Sequence, residues 1–441
     1  MNTAGATDAF RTALDELDPT LDDGLLGDFI YTSEFTHDPY PLYRYLREVK
    51  PVWYCERMGG WILTRHADIA AALKDDEIYS TLSYQWMISN LHGRTILDMR
   101  GSEHARKRGL MTPFFHGHGL DRLSDLIETT SAELVRDFAG DGQVELFSQY
   151  TKHFPIRVIA RIIGIADEQA FDFEQLMGWA NAIMRQTANM HGDETILNEG
   201  LAAREQFTEF MLPVIARRRA EPQDDLITHL VQAEVDGVGL TDEEVRAHCS
   251  LLLTAGWETT DKLILSTMTN LLTHPDQLEA VMADRSLVPM AIAETLRHDS
   301  VVQFLARELT ADVELHGHHM KSGSPVFAAV AAGNRDDRVF ANPEAYDIFR
   351  ADLLAEASFG AGGKQMGFGY GRHFCLGARL GRQETVVALN HLFDVMERPR
   401  LAPGFVPRWE GMFTRSEGSL ESHLRSVRRL EIVFEPVGVA V

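Results

Sequence analysis

A lone cysteine, Cys375, lies in "GFGYGRHFCLGARLG" (residues 367–381), among glycines at 367, 369, 371, 377 and 381 and arginines at 372, 379 and 382. Glycine lets the backbone approach a bulky partner closely and lets N–H groups point at a negative atom. The run that follows, "LGARLGRQETVVALNHLF", reads as a helix, and its unpaired N–H groups and positive dipole end favour thiolate over thiol. The stretch therefore describes a cradle for a charged sulfur. It does not fit a dinucleotide loop, because the GxGxG spacing lacks the third glycine and no apolar strand leads into it. It does not fit a phosphate-binding loop either, since Ser358 and Gln365 stand where "AGGKQ" would need Gly and Ser/Thr. A buried structural cysteine would leave the glycines and arginines unexplained.

A second constellation lies in "LLLTAGWETTDKLIL". Thr241 and Glu244 have capping-box spacing, and helical periodicity runs from there to Thr273, where His274-Pro275 stops it. Such a helix is about 50 Å long. Its middle carries Gly256, Glu258, Thr259 and Thr260 inside an apolar stretch. Glycine costs a helix interior about 1 kcal/mol, and a buried carboxylate costs more unless it is paired. Two readings stand side by side. In one, the segment is a kink whose hydroxyls bond back to carbonyls. In the other, Ala255 and Thr259 share a face that leaves space above something flat, while Glu258 sits at a distortion and handles protons.

The elements that must position these residues are mostly helical. "DPYPLYRYLREVK" reads as a short amphipathic helix and "VWYCERMGGWILTR" as a hairpin turning at Gly59-Gly60. Helical spacing dominates residues 102–285, strand patterns return in "ADVELHGHHMKSGSPVFAAVAAG", and "RRLEIVFEPV" is a last strand. The expected class is mainly α with small antiparallel β-sheets. No linker or repeat divides the chain, so residues 1–441 read as one domain with a flexible N-terminal stretch of about 30 residues.

Composition narrows the function. A formal charge of −23 opposes phosphate binding and argues against a nucleic-acid partner. No apolar run reaches the ~18 residues of a membrane span, and the acidic N-terminus lacks a signal-peptide pattern. The expected location is the cytoplasm. Three scattered cysteines form neither a disulfide framework nor a zinc motif. "HGHG" (116–119) and "HGHH" (316–319) lack helical metal-ligand spacing and read as exposed loop histidines.

Phe368, Gly371, Cys375 and Gly377 fit FxxGxxxCxG, which resembles the haem-binding segment of the cytochrome P450 family. Three further segments match in the family's order. "AGWETT" resembles its oxygen-binding turn, although Trp257 departs from the usual residue there; "ETLR" resembles its ExxR pair, Glu294 and Arg297; "SEHARKRGLMTPFF" resembles the segment that reaches the haem propionates. The resemblance spans residues 35–435 and implies the P450 fold. It implies haem b with Cys375 as the iron ligand, Phe368, Gly369 and Gly377 against the cofactor, and His104, Arg108, Arg307 and His373 at its propionates. Ala255, Glu258 and Thr259 take the catalytic positions, and Arg350 joins the ExxR pair in bracing the cysteine loop.

The implied activity is a monooxygenase that uses O2 on a small, largely apolar molecule in bacterial secondary metabolism or catabolism. Electrons derived from NAD(P)H would arrive through a ferredoxin reductase and a ferredoxin. Arg372, Arg379, Arg382 and the exposed members of Arg106 and Lys107 would supply a docking patch. The substrate would meet Trp86, Met87, Leu91, Phe304, Met412 and a long C-terminal loop. The competing reading is a haem-thiolate enzyme that uses peroxide or couples and rearranges substrates without inserting oxygen, and an intact Glu258–Thr259 pair favours the monooxygenase.

Overall fold

The structure, a computed structural model, describes residues 10–437 except 169–170, 188, 190–191, 236, 412–414, 417–418 and 421–423. The first amphipathic segment forms helix α1 (Tyr40–Val49), which buries Leu42, Tyr43, Tyr45 and Leu46 and leads into a hairpin of β1 (Val52–Cys55) and β2 (Gly60–Leu63). The turn falls at the expected glycines. Gly59 has φ +65°, and a Cβ on Gly60 would lie 2.8 Å from the Pro325 carbonyl, so both positions require glycine.

Farther along come β3 (Tyr79–Ser80), α2 (Gly101–Phe115), α3 (Phe154–Ile163), α4 (Asp242–Thr273), α5 (Val288–His298), β4 (Leu305–Leu309), β5 (Pro325–Ala328), α6 (Ala378–Val395), β6 (Trp409–Gly411) and β7 (Arg425–Val427). The main sheet has the order β1-β2-β5-β4-β3. It is not purely antiparallel: β5 runs parallel to β2, pairing Val326 with Trp61 and Ala328 with Leu63. Strands from the first and last thirds of the chain thus share one sheet instead of closing two separate ends. Met396–Leu401, Glu431–Pro436 and Gln143–Glu145 make a smaller antiparallel sheet, and β6 pairs with β7.

Helix α4 begins and ends where its caps dictate. The Thr241 hydroxyl accepts the Glu244 amide, the Glu244 side chain accepts the Thr241 amide, and 32 residues later the helix stops at His274 ahead of Pro275. It runs through the whole molecule and packs against α3, α5 and α6. Ile156 and Ile159 of α3, Leu263 to Leu265 of α4, Ala291 and Ile292 of α5, and Ala388 and Leu392 of α6 are buried in one cluster. Each large side chain removed from water in this way contributes about 1.5–3 kcal/mol. Among the described residues no helix is long and apolar enough to cross a membrane.

Candidate functional site

The cysteine loop is built from tight backbone turns. Gly369 and Gly371 have φ +74° and +69°, and a Cβ on Gly371 would sit 2.6 Å from the Leu73 carbonyl, so a side chain is excluded there. The Cys375 amide donates to the Phe368 carbonyl at 2.9 Å, and Arg108 of α2 donates to the Phe374 carbonyl at 2.7 Å. Gly377 is the residue before α6, and a Cβ there would meet open space. The Cys375 side chain keeps exposed surface although the protein surrounds it. Burial pushes the thiol pKa up; the amides of Gly377 and Ala378 and the charge of Arg108 act against this. The helix start alone therefore does not secure a thiolate, and a bound cation would be required to complete the ionisation.

Helix α4 offers the matching feature. In an otherwise buried stretch, Ala255 is exposed and Thr259 half-buried, one turn apart. The Thr259 hydroxyl donates to the Ala255 carbonyl at 2.6 Å, which leaves its lone pairs as acceptors. The expected distortion does not break the helix, which is α-helical from end to end. A Cβ on Gly256 would make ordinary van der Waals contact with Ile159 of α3 at 3.4 Å, so packing alone does not demand glycine there. Trp257 is buried and its indole N–H donates to the Lys152 carbonyl at 3.0 Å, so this departure from the family pattern is absorbed on the side of α4 that meets residues 147–151.

Glu258 is buried and ion-paired. Lys262 Nζ lies 2.7 Å from its Oε1 and 4.0 Å from Asp261 Oδ2. Burial pushes Asp261 up to about 6 against the pull of Lys262 and Thr151. Neither Lys262 nor Asp261 stood out in the sequence, where "ETTDKL" looked like an ordinary charged helix turn.

The four residues expected at the propionates come together. His104 of α2 and His373 have ring centroids 4.2 Å apart, and Arg307 of β4 and Arg108 both act on His373. Burial, reinforced by Arg108 and Arg372, holds His104 down at about 4, and His373 lies at about 3 for the same reason. Both ring nitrogens of His104 and Nε2 of His373 are buried without a hydrogen-bond partner. Arg307 is buried and donates to its neighbour Ala306's carbonyl at 2.7 Å. Orphaned donors beside concentrated positive charge are what a bound dicarboxylate would satisfy, so these residues fit a haem.

The ExxR pair is no surface salt bridge. Glu294 and Arg297 are fully buried and joined by two 2.7 Å contacts, and Arg350 Nε reaches Glu294 at 3.0 Å. Arg297 also donates to the carbonyls of Asn334, Pro343 and Ala345. Asn334 passes this constraint to the cysteine loop by accepting the Met366 amide. No local pattern around Asn334 marks it for this part.

Other expectations fare differently. Lys107, expected on the docking patch, is buried and bonded to Glu244 at 3.0 Å and to the Gly239 carbonyl. Arg372 pairs with Asp76 at 2.9 Å and Arg382 pairs with Glu356, whereas Arg379 is exposed. Leu91 belongs to the main core, and Met87 and Phe304 pack against the N-terminal core. Met412 and the Trp86 side chain lie outside the described residues. His316 bonds Asp68 at 2.9 Å and His319 bonds Glu314 at 2.6 Å, which uses these histidines as partners of surface acids.

Comparison with known proteins agrees with this geometry. The cytochrome P450 family model matches residues 51–395. Pulcherriminic acid synthase of Bacillus subtilis is 31% identical, over 89% of this chain and 96% of its own length. The biotin biosynthesis cytochrome P450 of the same organism is 30% identical, over 92% of this chain and 98% of its own. Among solved structures, P450BioI in complex with hexadec-9Z-enoic acid ligated acyl carrier protein superposes with a TM-score of 0.79 at 30% identity, covering 91% of this chain and 99% of that one. CYP109E1 from Bacillus megaterium in complex with corticosterone gives 0.77 at 27% identity, with 91% and 99% covered. The chain belongs to the cytochrome P450 family, with its fold, its haem-thiolate cofactor and its monooxygenase class of chemistry.

Proposed function

We propose that the chain hydroxylates, or oxidises in a related way, a small and largely apolar organic molecule in bacterial biosynthesis or catabolism. Residues 1–441 would work as one catalytic unit in the cytoplasm, with electrons from a ferredoxin and its reductase. Two features of the relatives support an apolar substrate: one neighbour holds a carrier-linked hexadecenoic acid and another holds corticosterone. The single observation that carries the reading is the exposed thiol of Cys375, set in the haem-segment motif together with the orphaned ring nitrogens of His104 and His373.

Bound haem would supply redox-active iron for oxygen chemistry, with a thiolate ligand donating electron density to the metal. Cys375 would hold the iron through its sulfur, and the amides of Gly377 and Ala378 with Arg108 would stabilise its negative charge. Phe368, Gly369 and Gly377 shape the cradle on that side. His104, Arg108, Arg307 and His373 would hold the two propionates. On α4 Ala255 leaves room, and Thr259, whose hydroxyl already donates its hydrogen bond to the Ala255 carbonyl, accepts a hydrogen bond from water or another O–H group. Glu258 takes a proton from solvent and passes it toward Thr259. The retained Glu258–Thr259 pair favours oxygen insertion over peroxide-driven chemistry.

The test is Cys375→Ser. Reduced wild-type protein under carbon monoxide should show the red-shifted band of thiolate-ligated haem, and the variant should lose both band and activity. An unchanged spectrum would remove Cys375 from the metal.

A further inference from the structure

The helix Ser89–His92 is too short to hold its own shape. Its Ser89 carbonyl accepts the Gly93 amide, and the last carbonyls must find donors elsewhere. Two guanidinium groups supply them. Arg204 Nη1, from the long helix Glu194–Ala220, donates to the Asn90 carbonyl at 2.9 Å, and Arg246 Nη2 of α4 donates to the His92 carbonyl at 2.6 Å. Both arginines converge on one carboxylate of α4, that of Glu243. It accepts Arg246 Nη2 at 2.6 Å and Nε at 3.1 Å, and it lies 3.8 Å from Arg204 Nη2.

The surroundings are shaped to this arrangement. Gly93 has φ +87°, and a Cβ there would lie 2.8 Å from Arg246 Nη2. A Cβ on Gly200 of the long helix would lie 3.0 Å from Leu91 Cδ2, and His92 Nδ1 meets Ser250 Oγ of α4 at 2.9 Å. The short helix is thus held between α4 and Glu194–Ala220. Ser250 stands five residues before Ala255, about 7.5 Å along the axis of α4.

The two arginines differ in what they can do. The Arg246 side chain is fully buried, whereas those of Arg204 and Glu243 are 36% and 56% exposed. Arg246 therefore fixes the His92 end of the short helix. Arg204 holds the Asn90 end through the longest and wettest of these ionic contacts, so it is the arm that lets go first.

We propose that Glu243 is a positioning residue for ligand entry: through Arg204 it latches the helix Ser89–His92 over the approach to Ala255. When Arg204 leaves Glu243 and the Asn90 carbonyl, the short helix turns about its fixed His92–Gly93 end and opens the way in. No group of the latch touches the ligand. Loosening it must then speed entry and exit by the same factor and leave affinity where it was, which neither a lost ligand contact nor a reshaped cavity does.

The experiment is stopped-flow binding of 4-phenylimidazole to the ferric holoenzyme, followed by the shift of the haem absorption band. Arg204→Met and Glu243→Gln should each raise the association and dissociation rates together by about 2–5-fold, the worth of a partly exposed ion pair, with Kd unchanged. Added salt should accelerate both rates in wild type and do so less in Arg204→Met. Arg185→Met breaks the 2.7 Å pair with Glu199 on the same long helix without touching the short one, and should match wild type. Unchanged rates in Arg204→Met, a change in only one of the two rates, or equal acceleration in Arg185→Met would overturn the proposal. Should Glu243→Gln not fold because Arg246 is left buried without its carboxylate, Arg204→Met decides alone.

Discussion

The side-chain oxygen of Asn334 accepts the backbone amide of Met366 at 2.7 Å, while the Asn334 carbonyl accepts Arg297 Nη1 at 3.1 Å. One residue thereby ties the buried Glu294–Arg297 pair to the loop that carries Cys375. Asn334→Ala leaves the buried Met366 amide without its acceptor, a loss of about 1–3 kcal/mol. Glu294→Ala leaves Arg297 and Arg350 buried without their carboxylate and should cost about 3–5 kcal/mol. Denaturant unfolding measures both, and the rate of haem transfer to an acceptor apoprotein should rise in both; a stable Glu294→Ala variant that retains haem would refute the bracing.

Thr259→Ala removes the hydroxyl acceptor but leaves a side chain that the helix accommodates well. Stability should change by less than about 1 kcal/mol, haem content should hold, and consumption of electrons should continue while product falls. The ratio of product to reductant consumed is the measurement. An unaltered ratio would take Thr259 out of proton handling.

Redox-partner docking should centre on Arg379. Arg372 and Arg382 already face Asp76 and Glu356, so part of their charge is neutralised within the chain. Arg379→Glu should slow first-electron transfer from an acidic ferredoxin several-fold at low ionic strength, with the difference shrinking as salt screens it. Stopped-flow reduction across a salt series decides this, and equal rates would place docking elsewhere.

His92 predicts an acid sensitivity. It is buried, bonds Ser250 of α4 at 2.9 Å, and offers its carbonyl to Arg246. Burial, with help from Arg246 and Arg204, holds its pKa down at about 3. Between the ordinary value of about 6.5 and pH 3 the unfolded chain binds a proton that the folded one refuses, so stability falls as pH falls through that window. At pH 5 the loss should be about 2 kcal/mol relative to pH 7.5. His92→Gln should remove about 2 kcal/mol of the difference in denaturant unfolding at the two pH values, the depressed His104 and His373 accounting for loss that remains.

Signals that depend on neighbours in sequence were legible. Thr241, Glu244 and His274-Pro275 bounded α4 to the residue, and Gly59-Gly60 marked the hairpin turn. The site residues were legible through motif order, because Cys375, Glu294 and Thr259 stand in recognisable local contexts. What stayed hidden depends on tertiary partners. Lys107 looks like a solvated charge until α4 supplies Glu244, and Asn334 has meaning only once Met366 is folded against it. The parallel pairing of β2 with β5 was also out of reach, since strand direction is set by the long crossover between them and not by either strand's own pattern.

That same pairing governs how the chain can be made. Until Ala328 has left the ribosome, the hairpin of residues 52–63 has an open edge with no mate, and closing a loop of this size is slow. A nascent or prematurely terminated product is therefore a sticky half-sheet, and yield in a heterologous host should depend more on slow translation and holdase supply than on haem supply.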